Sequence, residues 1–456
     1  MRRHLIVGRF GSSDSVAIPA ASGEVATKLD FVAAKQRLEH DIGNSLDNLS
    51  KIGVYPSEIG LDLLVLAAHV QAADTHISRS TESQDSWTRE IRIVVPVSDP
   101  VRWNSVTTLL TRLLNFLTGD RWTIGFRPRP SGFEQAVPER PPQLLPCPFD
   151  TVALFSGGLD SLIGAINSIA SGRTPLFVSH ANEGTVSESQ QELFEGLKRK
   201  YPRQNFDRLR IWMDFRRWRV RSVKPEKTTR GRSFLFFAAG IFAGTGLLNG
   251  FTLQVPENGL IALNVPLDLL RLGAFSTRTT HPFYIARWNE LLNALGISAR
   301  IENPYWDKTK GEMVAQCADS VLLKELVPHS FSCASPAKSR WLGRKTEHCG
   351  YCLPCLIRRA ALRHGLAPAS DPTRYTLANM TSRVLSTKKA RGQQIRSLQF
   401  AIERLAANPA LASLFIHKPG PLSDESPTRQ VALADVYRRG FNEINQILAG
   451  VRTSPD

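Results

Sequence analysis

Hydrophobic residues recur along the chain with two different periods. Leu63, Leu66 and Val70 fall at helical spacing, and so do Val106, Leu109, Leu113 and Leu117. REIRIVVPV instead places Ile91, Ile93, Val95 and Val97 on one face, and RWTIGF does the same with Trp122, Ile124 and Phe126. Period-two alternation of this kind predicts strands. Residues 1–130 therefore read as a separate α+β domain without a chemistry-bearing motif, GSSDS at 11–15 being turn-like only. Residues 131–150 are proline-rich and predict an extended surface linker.

After residue 150 the pattern changes. TVALF (151–155) is a compact apolar run that stops at Ser-Gly-Gly, and a helix is predicted over about 159–171. PLFVSH is a second such run, followed by a helix near 187–200 and then LRIWMDF. Strand–helix–strand–helix–strand with short connections predicts an α/β fold, a doubly wound parallel sheet covered on both faces. In such folds ligands bind at the carboxyl ends of the strands, where SGGLDS lies. Residues 376–456 read as a helical tail. Leu398, Ile402 and Leu405 form one stripe, Tyr437, Phe441, Ile444 and Leu448 another, and HKPGPLSDESPTR is a loop between them. No internal repeat is evident.

Charge sharpens this division. The formal net charge is +16, yet residues 1–150 hold 16 Lys and Arg against 17 Asp and Glu. The basic surplus lies wholly beyond residue 150, where anionic ligands are expected. No apolar run is long enough to span a bilayer. The apolar part of MRRHLIVGRFG is too short for a signal peptide, so a cytoplasmic location is expected.

Two motifs carry chemistry. Ser156, Gly157, Gly158 and Ser161 form a glycine turn at a helix start, which directs backbone N–H groups at phosphate. Asp160 adds a carboxylate suited to Mg²⁺ beside phosphate oxygens. The loop lacks the lysine of a Walker A sequence. The second motif is Cys333-x15-Cys349-x2-Cys352-x2-Cys355, whose spacing predicts a closed, structural Zn²⁺ site. His348 or His329 could replace Cys333 as a ligand, Arg358 and Arg359 could offset its charge, and Cys147 and Cys317 read as ordinary packed thiols.

Strand–SGGxDS–helix resembles the PP-loop of the N-type ATP pyrophosphatases, whose fold is HUP-like. The resemblance implies that ATP is held by its β,γ-pyrophosphate with the α-phosphorus exposed, so that no Walker lysine is needed. SGGLDS together with S-C…C-G-Y-C-L-P-C-L-I-R-R resembles the QueC family of 7-cyano-7-deazaguanine synthases over about 151–365, and a PP-loop domain with a zinc-binding insert is expected over 151–375. PENGLIALNVPL (256–267) and STRTTHPFY (276–284) resemble the longer QueC-like proteins of anti-phage operons, those of the Qat system (QatC) in particular. These resemblances imply ATP-dependent activation of the carboxylate of 7-carboxy-7-deazaguanine, followed by attack of an amine. That amine could belong to a protein partner from the same operon.

Further residues are expected at this site. His180, in HANEG, ends the second strand near the nucleotide. Arg230 and Arg232 precede an apolar helix and could clamp pyrophosphate. Lys308, Lys310 and Glu312 sit where the family has a P…K-x-E stretch, and Lys310 could contact phosphate. Glu257, Asn258, Thr279, Thr280 and His281 could read a guanine-like edge. Asp160, Ser161, Arg232 and Lys310 are the catalytic candidates. RRWRVRSVKPEKTTRGR (216–232) carries eight positive residues around Trp218, a pattern that also suits nucleic acid, the less favoured partner. The competing readings are a PP-loop tRNA-modifying enzyme that needs a reactive thiol, a true nitrile-forming synthase, and a nucleotide-binding scaffold.

Overall fold

A computed structural model describes residues 2–33, 37–83, 85–142, 147–181, 184–226, 228, 230–267, 278–334, 346–366 and 371–455. Its first sheet has four strands, β1 (Arg3–Arg9), β2 (Glu24–Asp30), β3 (Glu90–Val97) and β4 (Arg121–Pro128), in the order β2-β1-β3-β4. Every ladder in it is parallel. This corrects the α+β expectation for residues 1–130 to α/β. Periodicity reports which residues face a core but not strand direction, and here helices carry the chain back between β2, β3 and β4.

The Glu58–His76 helix of that unit is buried on nearly all sides rather than along the expected Leu63–Leu66–Val70 stripe alone: Leu61, Leu63, Leu64, Val65 and Leu66 are fully buried, and so are Asp62, His69 and Asp74. It packs on β1 and β3 and on the Arg232–Gly244 helix, so no face of it meets water. One core consequently runs from Ile6 of the first sheet to Ile301 near the end of the second. The described part of 131–150 has no regular element but is fastened: Glu58 accepts from Ala136 N (2.7 Å) and Val137 N (3.0 Å), and Arg140 donates to Gly246 O.

The second sheet comprises β5 (Thr151–Leu154), β6 (Pro175–His180), β7 (Asp207–Ile211), β8 (Phe251–Gln254) and β9 (Ala299–Glu302), all parallel, in the order β7-β6-β5-β8-β9. Both faces are covered. Val152, Leu154, Leu176 and Val178 join the core shared with the first sheet, whereas Ala153, Phe155 and Phe177 pack with the Leu159–Ala170 helix in another. That is why these strands read as continuous apolar runs. The chain winds outward from β5 through β6 to β7 and then returns to β8 on the other side of β5. Strand order therefore reverses between β5 and β8, the place where open α/β sheets hold ligands.

The tail forms the Ala390–Ala407 and Pro427–Leu448 helices joined through Leu411–Phe415. Tyr437, Phe441 and Ile444 pack in one core with Leu356 and Ile357 of the Leu353–Gly365 helix. Among the described residues no helix is long and apolar enough to cross a membrane.

Candidate nucleotide site and cysteine cluster

β5 ends at Leu154 and the Leu159–Ala170 helix begins five residues on, at the reversal point. Gly157 makes the turn at φ +84°, a region that penalises a side chain, and a Cβ there would stand 3.1 Å from Gln190 Cγ. Gly158 caps the helix without a side-chain hydrogen bond, which leaves first-turn N–H groups for an anion. Ser156 Oγ accepts from Gly158 N at 3.3 Å and donates to Ser161 Oγ at 3.2 Å, and Ser161 Oγ donates to Gly158 O at 2.9 Å. Two hydroxyls and the turn amides thus converge, a donor set that fits a phosphate oxyanion.

Three residues of the expected site meet at one carboxylate. Asp160 Oδ2 accepts from Asn258 Nδ2 (2.7 Å) and Asn258 N (3.1 Å), while Lys310 Nζ lies 3.0 Å from Asp160 Oδ1. Asn258 is fully buried after β8, and its own Oδ1 accepts from Ile261 N (3.1 Å) to cap the Gly259–Leu263 helix. Its observed role is to hold Asp160. Lys310 opens the Lys310–Ala315 helix, where Thr309 and Glu312 form a capping box. Arg439 of the tail pairs with Glu312, and Glu443 accepts from Gly311 N at 3.2 Å, so the tail braces the lysine's helix. Lys308 is half-buried, and its carbonyl accepts from Gly259 N at 2.8 Å.

Glu257 borders this group. Thr280 Oγ1 donates to its Oε2, and Asn303 brackets its backbone, donating from Nδ2 to Glu257 O at 2.6 Å. Burial pushes the Glu257 carboxyl up to about 7, with the Asp160 charge adding to the shift and the Thr280 hydrogen bond opposing it. Thr279, which precedes Thr280 in the chain, is half-buried. His281 is fully buried and accepts from Phe283 N at 3.2 Å as the cap of the Pro282–Ala294 helix, its ring 5.3 Å from Phe116. Burial, with Arg278 nearby, pushes its imidazole down to about 3.

His180 ends β6 with a buried imidazole, also pushed down to about 3 by burial and then by Arg232. Its carbonyl accepts from Arg232 Nη2 (3.4 Å) and from Gln190 Nε2 (3.2 Å). The two arginines expected as a clamp have different partners. Arg230 donates to Thr118 O at 3.1 Å and lies 4.1 Å over the Trp87 ring, on the side of the first sheet. Asn182 and Glu183 of HANEG, and 276–277 of STRTTHPFY, lie outside the described residues.

The four cysteines come together: the sulfurs of Cys333, Cys349, Cys352 and Cys355 lie within 4.8 Å of one another. Cys349 and Cys355 are 3.9 Å apart and Cys333 and Cys352 4.0 Å, close to the roughly 3.8 Å edge of a tetrahedron with 2.3 Å metal–sulfur bonds. Cys349 N and Cys352 N each donate to a cluster sulfur at 3.3 Å. This cluster could hold a metal such as zinc. Neither candidate histidine belongs to it: His348 Nε2 accepts from Ser332 N at 3.3 Å, and exposed His329 pairs with Glu192 at 2.9 Å. Arg358 and Arg359 instead brace the chain. Arg358 bonds Val327 O (2.7 Å) and Ser330 Oγ (2.9 Å), and Arg359 bonds Ala378 O (3.1 Å) and stacks 3.7 Å over Tyr375. The strand of chain entering the cluster also backs the glycine turn, Phe331 N donating to Gly157 O at 2.8 Å.

No protein-family model matches this chain, and no curated protein does.

Some residues at this site carry no signal in the sequence. Gln190 is fully buried and ties Ser156 O (3.3 Å) to the end of β6. Asp74, Arg79, Arg89 and Asp120 form a buried ion network that reaches the loop before Arg232, because Asp74 Oδ2 also accepts from Gly231 N at 2.7 Å. Each looks like a surface polar residue until its distant partner is placed beside it.

Proposed function

We propose that this chain is an ATP-dependent, AMP-forming ligase that activates the carboxylate of a 7-deazaguanine, 7-carboxy-7-deazaguanine, for amide formation. The reading is carried by one observation: a lysine-free glycine turn stands where the strand order reverses, with Asp160 fixed beside it by Asn258 and Lys310. A substrate carboxylate oxygen would attack the α-phosphorus, and the bond to the β-phosphate would break as pyrophosphate leaves. An amine nitrogen would then attack the acyl carbon, lose its proton, and release AMP. Turn amides, Ser156, Ser161 and Lys310 would take up the charge of the leaving pyrophosphate, and Arg232, hydrogen-bonded to His180 O at the end of β6, would close the site. Mg²⁺, which Asp160 would hold, neutralises phosphate charge when bound. Glu257, Thr279 and Thr280 would face the purine. The context we favour is anti-phage defence, with the amine on a protein partner.

A thiol-dependent tRNA modification is less well supported. Cys317 is buried and pushed up to about 11, too high for a nucleophilic thiolate at neutral pH. The deciding experiment is ATP turnover with 7-carboxy-7-deazaguanine, with and without ammonium. AMP and pyrophosphate that depend on the deazapurine acid are expected. ADP and phosphate, or no turnover, would overturn the proposal.

A further inference from the structure

We propose that residues 216–224 form a binding surface for the phosphodiester backbone of a nucleic acid, whatever reaction the crevice performs. The segment leaves the carboxyl end of β7, so it begins on the same rim of the second sheet as the glycine turn. Arg217, Arg219 and Arg221 are exposed, whereas Trp218 between them is half-buried and Val220 is buried. Two hydrogen-bonded turns shape the segment, Trp218 N donating to Phe215 O at 2.8 Å and Val223 N to Val220 O at 3.2 Å, and they leave Arg217, Arg219 and Arg221 on its exposed side, Arg219 also donating to Trp218 O at 2.8 Å.

The inward side is fastened. Trp218 Nε1 donates to Lys28 O of the edge strand β2 at 2.7 Å, and its ring lies 5.4 Å from His76. Arg2 donates to Ser222 O at 3.2 Å, at a residue held at φ +61°. Exposed Arg216 and Lys224 extend the row, and exposed Lys28 flanks it. Asp214 pairs with Arg216, while Glu226 is drawn inward to Arg79 at 2.9 Å. From 216 to 225 every exposed residue is Arg, Lys, Ser or Pro. Protein interfaces bury apolar or aromatic anchors at their centre, whereas here half-buried Trp218 is engaged with Lys28 O and His76 and no large apolar side chain is exposed. A fixed row of cations without base-reading groups suits a phosphate backbone, bound through counterion release and with little sequence preference.

The test uses the full chain and fluorescence anisotropy with labelled single-stranded RNA, single-stranded DNA and duplex DNA between 50 and 200 mM salt. Arg217→Gln/Arg219→Gln/Arg221→Gln is compared with Arg383→Gln/Lys388→Gln/Lys389→Gln, which removes equal charge from another exposed stretch. Three phosphate contacts contribute about 40-fold to the loss of duplex affinity across that salt range, and about 20-fold on single strands. That share should vanish in the arginine variant and persist in the control, and the RNA and DNA arms identify the nucleic acid. Any of the following would overturn the proposal: no oligonucleotide binding at 50 mM salt, equal losses in both variants, or binding confined to anionic lipid vesicles.

Discussion

Cys355→Ala is expected to empty the cysteine cluster and loosen the glycine turn together. The sulfur separations of 3.9 and 4.0 Å, divided by the edge-to-radius ratio of a tetrahedron, give a metal–sulfur distance of about 2.4 Å, near the roughly 2.3 Å of zinc thiolates. Cys355 is fully buried, so the truncated site has no ready replacement ligand from solvent. Structural zinc binding is worth roughly 10–16 kcal/mol in finger peptides, comparable to or larger than the stability of a whole domain. Losing it should therefore release the described residues 331–334 and 346–355 from their packing rather than merely soften it, and the Phe331–Gly157 hydrogen bond should go with it. Metal analysis of the purified chain should find one zinc per chain, and X-ray absorption should show four sulfur ligands and no nitrogen. A strong chelator or Cys355→Ala should lower the thermal unfolding temperature and abolish nucleotide binding. Metal-free protein of unchanged stability, or a nitrogen ligand from His348 or His329, would refute this reasoning.

Other consequences are equally open to measurement. Gly157→Ala should place a Cβ at φ +84° and against Gln190, costing about 1–2 kcal/mol from the backbone alone and reducing ATP affinity, as urea unfolding and nucleotide titration will show. Asp74→Ala should leave Arg79 and Arg89 to share Asp120, and Gly231 N without its acceptor, and cost about 3–5 kcal/mol in urea unfolding; a change under 1 kcal/mol would mean that the network is dispensable. Glu257 binds its proton more tightly in the folded chain than in the unfolded one. Its contribution is therefore fully present below the unfolded pKa of about 4.5 and is lost as pH rises through about 7. Glu257→Gln should remove that slope, gaining at most about 3 kcal/mol on wild type above neutral pH, and parallel stability profiles for the two proteins would contradict it.

The chemistry legible in the sequence was short-range. A Ser-Gly-Gly turn after an apolar run and a C-x2-C-x2-C spacing constrain neighbours along the chain, and the structure brings the four cysteines together and sets the turn at the end of β5. Apolar runs likewise announced a parallel sheet buried on both faces, because burial on both sides removes alternation. Tertiary structure alone decided the rest. Strand direction in the first sheet depends on where the crossover helices lie, and the all-round burial of Glu58–His76 depends on a partner helix from the second half of the chain. Asn258 was legible as a candidate reader of a guanine-like edge but not as the group that holds Asp160, 98 positions away. Gly231 finds Asp74 across 157 positions, and Thr309 finds Glu443 across 134. Local pattern records whether a side chain meets water or core. Which polar group it meets there is fixed only when distant segments are packed together, since a buried donor or acceptor left unmatched is costly and its partner is set by the fold.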